Sequence, residues 1–313
     1  MISILRRTRT PRRASLYGPA TLLALLLVLA APASAQETDD DDVVRVNTDL
    51  VVVNVTVTDG DGKYVRGLKR DDFTLLEDGR EQKLSTFGAE ETPFAAAVLL
   101  DFSGSMEKRI SMARAAAIRF LDGLREEDVA AVYRFDSEIE RLQDYSASHD
   151  LAPLAFGMSA KGMTVLNDAI MRAAVDLAQR PEKRRAIVVL SDGFDTKSSA
   201  SMEKALSAAA AAGVTIYTVD MMPADARPEA RAQAAGALRH FAGKSGGRYI
   251  QTPGGKALRE AFASILEELG NQYTLAYRPT NRARDGRWRS IKVKLSGEQL
   301  NARARQGYHA PKG

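Results

Sequence analysis

The sequence contains no cysteine among its 313 residues. This absence excludes disulfide bonds, a thiol nucleophile and a thiolate metal site, so we expect core packing to hold the fold together. Histidine is also scarce, and its three residues, His149, His240 and His309, are too scattered to form a pair at metal-binding spacing. Hydrophobic residues make up 45% of the chain, which is enough for one α/β domain with a smaller companion.

The sequence also lacks an apolar run long enough to span a membrane. The run over residues 21–31 has about a dozen residues, whereas a spanning helix needs roughly 20. Five arginines precede this run and Ala33-Ser34-Ala35 follows it, which is the order of a secretory signal. We therefore predict a signal peptide over residues 1–35 and a soluble mature chain, which an uncleaved signal would leave tethered. The Arg12-Arg13 pair also leaves export by the twin-arginine route open.

The predicted mature chain has no excess of basic over acidic residues. The formal net charge of +4 includes five arginines of the signal, and without them 39 basic residues stand against 40 acidic ones. Binding to nucleic acid needs clustered Lys and Arg on the folded surface, so we predict no such partner. An exported protein of this size without disulfides is more typical of a bacterial envelope than of an animal secretome, and we expect a periplasmic or extracellular location.

The two flanks of the chain show the alternation of half-buried strands. An acidic linker, residues 36–42, precedes a β segment, 43–92, in which valines alternate with polar side chains. A second β segment covers residues 270–313. Because neither segment can bury much surface alone, we expect one small antiparallel β-sandwich built from both, with two separate β appendages as the alternative. The string Asp59-Gly60-Asp61-Gly62 favours a plain turn over a calcium loop, because it lacks the ligand spacing of an EF-hand.

The central region, residues 93–269, alternates strand and helix patterns. Apolar runs without polar alternation suit strands buried on both faces of a parallel sheet, and they cover residues 95–100, 129–135, 186–190 and 214–219. Helical periodicity is found over residues 106–124, 166–178, 201–212, 230–241 and 256–269, with a further strand at 248–251. The predicted fold class is therefore α/β, a doubly wound and mostly parallel sheet flanked by helices.

Each of the four apolar runs leads into an aspartate, namely Asp101, Asp136, Asp192 or Asp220. In a parallel sheet these positions share the carboxyl edge, which is where open α/β folds bind ligands. Several carboxylates in a partly dry crevice repel one another, and a bound cation is the simplest way to offset this repulsion. We therefore searched the same edge for further oxygen donors.

The loop after the first run supplies hydroxyl groups. The string Asp101-Phe102-Ser103-Gly104-Ser105 places a carboxylate and two hydroxyls at alternate positions just before a helix. The serines alone could be helix caps, and the glycine could serve a tight turn around an ion or a plain strand-to-helix turn. Thr164 and Asp192 raise the number of oxygen donors to five, from three separate loops. This combination favours a metal site.

These residues closely resemble the von Willebrand factor A (VWA) family, whose metal-ion-dependent adhesion site combines an Asp-x-Ser-x-Ser motif with a distant Thr and a distant Asp. The resemblance covers residues 94–269, and the flanks resemble bacterial proteins classed only as related to this domain. It implies that Ser103, Ser105 and Thr164 bind the metal directly, while Asp101 and Asp192 act partly through water.

The donor set itself suggests which ion is bound and how it is used. Five hard oxygen donors with only two carboxylates suit Mg²⁺, or Mn²⁺, and leave the ion with net positive charge and an exchangeable position. An exposed Asp or Glu of a protein partner could complete this coordination. We therefore predict an adhesion-type protein that binds a partner and is not an enzyme. The remaining acids, Asp136, Asp168, Asp195 and Asp220, are predicted to start a helix, line the rim or make structural hydrogen bonds, and each stays a candidate to contact the metal's ligands.

Two other interpretations have weaker support in the residues. Gly243-Lys244-Ser245 is similar to the end of a phosphate loop, but Leu238 occupies the position of its first glycine and a helix precedes it. A phosphoryl-accepting Asp101 would need a lysine after the last parallel strands, and no lysine stands at the required place there. A structural or scaffold protein with a purely stabilising metal remains the main alternative, ahead of a hydrolase. The oligomeric state is left open by the sequence.

Overall fold

A computed structural model describes residues 50–89, 92–147, 162–223, 225–252 and 254–313. The predicted signal peptide, the acidic linker and His149 lie outside the described residues. The strands are β1 (Val51–Thr58), β2 (Phe73–Glu77), β3 (Arg80–Gln82), β4 (Leu84–Gly88), β5 (Phe94–Asp101), β6 (Val129–Phe135), β7 (Ile139–Ser146), β8 (Arg184–Ser191), β9 (Val214–Asp220), β10 (Tyr249–Gln251), β11 (Tyr273–Tyr277), β12 (Trp288–Leu295), β13 (Asn301–Arg303) and β14 (Gly307–His309). The helices are α1 (Ile110–Asp122), α2 (Leu166–Ala178), α3 (Met202–Ala211), α4 (Pro228–Ser245) and α5 (Gly255–Gly270).

The central sheet has the order β10-β9-β8-β5-β6-β7, and all of its neighbours are parallel except β6 and β7. Successive residues of β5 point to opposite faces, so Ala96, Val98 and Leu100 join one apolar cluster. Ala97 and Leu99 join the other. The first cluster includes side chains of α1 and α5, and the second includes side chains of α2, α3 and α4. The predicted doubly wound α/β fold is thereby confirmed.

The flanking segments form two antiparallel sheets, with the orders β13-β1-β11-β4 and β14-β12-β2-β3. Each sheet takes two strands from the N-terminal segment and two from the C-terminal one. Their facing side chains share one apolar cluster, to which Val53, Leu75, Tyr273 and Ile291 belong. The prediction of one sandwich built from both segments is confirmed, and the two-appendage alternative is wrong.

Three local predictions differ from the structure. The helix expected over residues 106–124 begins as a 3-10 turn, Gly104–Arg109, and becomes α-helical only from Ile110. The predicted β segment, residues 43–92, passes from one sheet of the sandwich to the other at Lys83, so that β3 lies in one sheet and β4 in the other. The edge strand β7 was not predicted, because its side chains are half-buried or exposed and it has no buried apolar run.

Loops singled out in the sequence are held by short-range hydrogen bonds. The Asp59 carboxylate accepts hydrogen bonds from the backbone N–H groups of Asp61 at 3.0 Å and Lys63 at 2.9 Å, as expected for a plain turn. Gly213 follows α3 with a φ of 66°, the left-handed conformation that ends a helix at glycine.

No helix among the described residues is long and apolar enough to cross a membrane.

A fully buried arginine lies where the sandwich meets the central sheet. Arg184, the first residue of β8, donates hydrogen bonds to the backbone oxygens of Thr92 at 3.1 Å and Leu269 at 2.8 Å. It also donates to the oxygens of Ala89 at 3.1 Å and Gln272 at 2.5 Å. Ala89, Thr92 and Gln272 lie in the segments that connect the sandwich to the α/β region, and Leu269 lies in the last turn of α5, so this side chain joins both connections.

A buried carboxylate ties the end of α5 to the sandwich. Glu268 is fully buried and accepts hydrogen bonds from the hydroxyls of Thr56 at 3.1 Å and Tyr217 at 2.7 Å. Its two oxygens also lie 2.8 Å from Arg248 Nε and 2.6 Å from Arg303 Nη2. Because Thr56 and Arg303 belong to the sandwich and Tyr217 to β9, this one side chain connects three parts of the fold.

Candidate metal centre

The predicted donors lie at the carboxyl edge of the central sheet. In the strand pairing, Asp101 is aligned with Phe135 and Ser191 with Asp220, while Leu100 is aligned with Leu190. The last residues of β5, β6, β8 and β9 therefore form one row along this edge. The loops that follow these strands all begin from the same side of the sheet.

Asp101 is the most deeply buried of the predicted ligands. It is fully inaccessible to solvent, and its carboxylate accepts hydrogen bonds from Ser103 N–H at 2.8 Å and from the Ser191 hydroxyl at 2.6 Å. Burial raises the pKa of Asp101 to about 7, the hydrogen bonds from the two serines oppose this shift, and the charge of Asp192 adds to it. In the described part of the chain, no Lys or Arg forms an ion pair with Asp101.

The two serines of the motif have hydroxyl groups that face each other. Ser103 Oγ lies 3.1 Å from Ser105 Oγ, with Ser103 buried and Ser105 exposed. Ser103 precedes the 3-10 turn, but its side chain makes no capping hydrogen bond. The capping interpretation of Ser103 is therefore wrong, and its hydroxyl is directed to the loop interior instead.

The loop that carries Thr164 lies directly against this motif. A Cβ atom placed on Gly104 would lie 3.5 Å from the Cα of Gly162, which is ordinary van der Waals contact. Gly104 also lacks a positive φ, so its own backbone conformation does not require glycine. Thr164 itself is buried, and its backbone N–H donates to the Thr196 hydroxyl at 2.9 Å. Its carbonyl accepts from the N–H groups of Thr196 and Lys197 at 3.0 and 3.1 Å, which joins this loop to the loop after β8.

Asp192 begins that loop and is buried at its base. Its carboxylate accepts a hydrogen bond from Phe194 N–H at 3.4 Å. Gly193 has a φ of 85°, and a Cβ there would lie 2.6 Å from the backbone oxygen of Ala234 in α4. Both the left-handed conformation and this close approach require glycine at position 193. The direction of the chain after Asp192 is thereby set by local backbone geometry.

The four further aspartates hold loops in place through backbone hydrogen bonds. Asp168 accepts from Ser199 and Ala200 N–H groups, each at 2.8 Å, and Asp195 accepts from Asn167 N–H at 2.7 Å and Ser198 N–H at 3.0 Å. These bonds link the first turn of α2 to the loop after β8, which gives Asp168 more than the role of a helix-start residue.

The other two acids of the rim act in the same way. Asp136 accepts from Glu138 N–H at 2.9 Å. Asp220 accepts from Met222 N–H at 2.8 Å and from the Tyr249 hydroxyl at 2.5 Å. Burial raises the pKa of Tyr249 to about 12, and the Asp220 carboxylate contributes to this shift. Both carboxylates are therefore engaged in the loops that follow β6 and β9.

Ser191 is a residue of this site that the sequence analysis did not select. Its hydroxyl donates to Asp101 and also accepts from Gly193 N–H at 2.9 Å, so it positions the carboxylate and the start of the next loop. The sequence contained one indication of this role. Ser191 is the last residue of its strand, and a parallel sheet places it beside Asp101.

The donor chemistry of the site fits a hard divalent cation. No group of three or more His, Cys, Asp or Glu side chains suited to a metal exists within the described residues. The candidate site differs from such a cluster because it has two carboxylates and takes its remaining donors from hydroxyls. A buried Asp101 beside a second carboxylate, with paired serine hydroxyls next to it, is a suitable environment for Mg²⁺ or Mn²⁺. Asp101, Ser103, Ser105, Thr164 and Asp192 are the residues that would hold such an ion.

Comparison with protein families assigns the central region. The family described as "VWA domain containing CoxE-like protein" matches residues 79–244, which is more than half of the chain. The chain belongs to this family, as its motif predicted. A comparison with curated proteins found no match.

Solved structures of bacterial proteins are similar to this chain at low identity. An aerotolerance-related membrane protein from Bacteroides fragilis, carrying multiple mutations to serines, is 18% identical, with coverage of 56% of this chain and 98% of that chain and a TM-score of 0.46. BatB from Bacteroides thetaiotaomicron is 18% identical, with coverage of 56% and 97% and a TM-score of 0.44. The pilus adhesin SpaC from Lactobacillus rhamnosus GG, in its open conformation, is 10% identical, with coverage of 80% and 49% and a TM-score of 0.48.

Proposed function

We propose that this chain is an exported, non-enzymatic VWA-domain protein that binds a protein partner through Mg²⁺ or Mn²⁺. Asp101, Ser103, Ser105, Thr164 and Asp192 would hold the ion. When bound, the ion supplies a positively charged position that an Asp or Glu of the partner can occupy. The residues of this chain fix the donor loops and keep water from the buried side of the site.

The observation that carries this proposal is the arrangement around Asp101. A buried carboxylate is costly unless its charge is matched, and here the nearest acid, Asp192, makes ionisation harder. Hydrogen bonds from the chain satisfy part of the Asp101 carboxylate, but they bring no positive charge. The hydroxyl pair of Ser103 and Ser105 serves no helix cap. A cation would use these groups together.

The side chains that the described residues place at the carboxyl edge favour binding over catalysis. The described histidines, His240 and His309, line a cavity near the opposite end of β9 and do not reach this site. Within the described residues, no histidine lies beside the hydroxyl groups of the carboxyl edge, which favours metal coordination over nucleophilic catalysis. Export is proposed from the basic, apolar and small-residue order of residues 1–35.

Isothermal titration calorimetry with Mg²⁺ and Mn²⁺ tests the site. The unaltered protein should bind one ion, and the double variant Asp101→Ala, Asp192→Ala should lose this binding because both carboxylates are removed. The control variant Asp122→Ala changes an exposed acid at the end of α1 and should bind as before. Retained binding in the double variant would place the metal elsewhere.

Recovery of partners tests the function separately. The purified protein should recover binding proteins from extracts of producing cells in Mg²⁺ but not in chelator, and the Asp101→Ala variant should recover none of the chelator-sensitive set. The Asp122→Ala variant again serves as the control. If chelation and Asp101→Ala leave the recovered proteins unchanged while calorimetry shows an ion, the metal has a purely structural role and the adhesion proposal fails.

A further inference from the structure

A second concave site lies at the other end of the central sheet. A cavity of about 330 Å³ opens between α3, α4 and the sandwich strands β12 and β14. Its lining includes Val214, the first residue of β9, whereas Asp220 at the candidate metal centre is the last residue of that strand. A strand of this length spans about 20 Å, so the cavity is separate from the metal centre.

One wall of the cavity is the indole of Trp288, the single tryptophan of the chain. The residue is 41% exposed, whereas tryptophan is highly buried on average. His309 is paired with Trp288 across the two strands, and its ring lies edge-on at a centroid distance of 5.2 Å. A Cβ on Gly307 would lie 2.5 Å from the indole, so the ring lies directly on the backbone of β14. The indole is therefore held as a fixed wall.

Positive charge is concentrated around this wall. Lys244 Nζ lies 5.8 Å from the centre of the indole ring. Arg305 also lines the cavity and is almost fully buried; its Nη1 donates to the Ala210 oxygen at 2.5 Å, while its Nε has no hydrogen-bond partner in the described part of the chain. The acid of the lining, Glu203, lies 3.3 Å from His240 Nε2. A ligand therefore meets a lysine and a buried arginine against one carboxylate that already has a neighbour.

The floor of the cavity is apolar. Leu206, Ala210 and Val214 form much of it, and they offer no side-chain hydrogen-bond partner to a ligand. The volume is near the lower end of the range for small-molecule pockets and suits a single ring with a short acidic substituent.

We propose that this cavity binds a small aromatic carboxylate. The flat ring packs against the Trp288 indole and the apolar floor, and the carboxylate is held by the Lys244 ammonium with the field of Arg305 behind it. This ligand site is independent of the metal-dependent function proposed above, because the two lie at opposite ends of β9.

Fluorescence of the single tryptophan reports directly on this site. Titration of benzoate into the purified protein should give a saturable change in Trp288 emission. Benzamide, which has the ring without the charge, and acetate, which has the charge without the ring, should give no saturable change. The Lys244→Met variant keeps the aliphatic stem and should bind benzoate roughly tenfold more weakly, the effect of losing one charge-assisted contact.

Matched controls separate binding from folding and from the metal centre. The Lys256→Met variant removes a lysine that is 82% exposed on α5 and should bind benzoate as the unaltered protein does. Chelator and the Asp101→Ala variant should also leave benzoate affinity unchanged, so this experiment can succeed even if the metal proposal fails. Absence of a saturable signal, equal binding of benzamide, or unchanged affinity in a folded Lys244→Met variant would overturn the proposal.

Discussion

At the scale of single residues, buried charged side chains connect parts of the molecule that are distant in the sequence. Asp101, Arg184 and Glu268 are fully buried, and each contacts residues far away in the sequence. The chemical type of Asp101 could be predicted from its motif. The burial of Arg184 and Glu268 could not, because their partners lie at least 85 and 20 residues away and local periodicity contains no information about them.

Replacement of Arg184 should destabilise the protein strongly. In the Arg184→Met variant the buried oxygens of Leu269 and Gln272 lose a charged donor, and a loss of at least about 3 kcal/mol in the free energy of unfolding is expected. Urea unfolding followed by circular dichroism measures this change. The Arg259→Met variant, which alters an exposed arginine of α5, should stay within about 0.5 kcal/mol of the unaltered protein. Equal stability of both variants would mean that these hydrogen bonds contribute little.

Secondary-structure elements were predictable where one periodicity was strong and complete. The helix expected over residues 166–178 matches α2 exactly, because apolar residues recur on one face and the chain is polar elsewhere. The edge strand β7 was missed because it has no buried apolar run, although its partner β6 directly precedes it. The short strands β13 and β14 were missed because three residues carry too little periodicity, and β13 pairs with the distant β1. Ser191 was not predicted as a site residue because its contact with Asp101 on β5 depends on the alignment of the two strands.

Two neighbouring glutamates of helix α5 test how far burial determines the contribution of a side chain to the free energy of unfolding. Glu268 is buried against Arg248 and Arg303, whereas the preceding Glu267 is exposed. The Glu268→Gln variant should lower the free energy of unfolding by about 2 kcal/mol, less than for a sealed ion pair because both arginines are 34% exposed and can reach water. The Glu267→Gln variant should change it by less than about 0.5 kcal/mol. Thermal unfolding of the two variants measures the difference. Equal midpoint temperatures of unfolding would contradict the prediction.

At the scale of the whole molecule, the order of segments was predictable and the pairing of individual strands was not. Alternation in both flanks indicated that neither could fold alone, which led to the sandwich. The exchange of strands between two sheets at Lys83, and the positions of β13 and β14, depend on contacts across the entire chain. For the candidate metal centre, the sequence identified which strand ends converge, while the hydrogen bonds that orient the donors required the structure.

Stability at alkaline pH should reflect the tyrosines that folding removes from water. Burial raises the pKa of Tyr133 and Tyr249 to about 12, and the pKa of fully buried Tyr217 is raised as well. An unfolded tyrosine ionises near pH 10, so these groups stabilise the fold below that pH, and this contribution is lost as the pH rises from about 10 towards 12. Tyrosinate absorbance of the native protein should therefore lag behind that of the urea-unfolded protein. Coincident titration curves would contradict this prediction.

The pairing of β1 with β11 has a consequence for the synthesis of the protein. Asn54 bonds to Thr274 across 220 residues of chain, and the α/β region lies between them. Strand β1 therefore stays without this partner until the α/β region and β11 have been synthesised. A nascent chain in this state exposes an unpaired β edge, which makes a holding chaperone more valuable to this protein than to one whose strands pair in order.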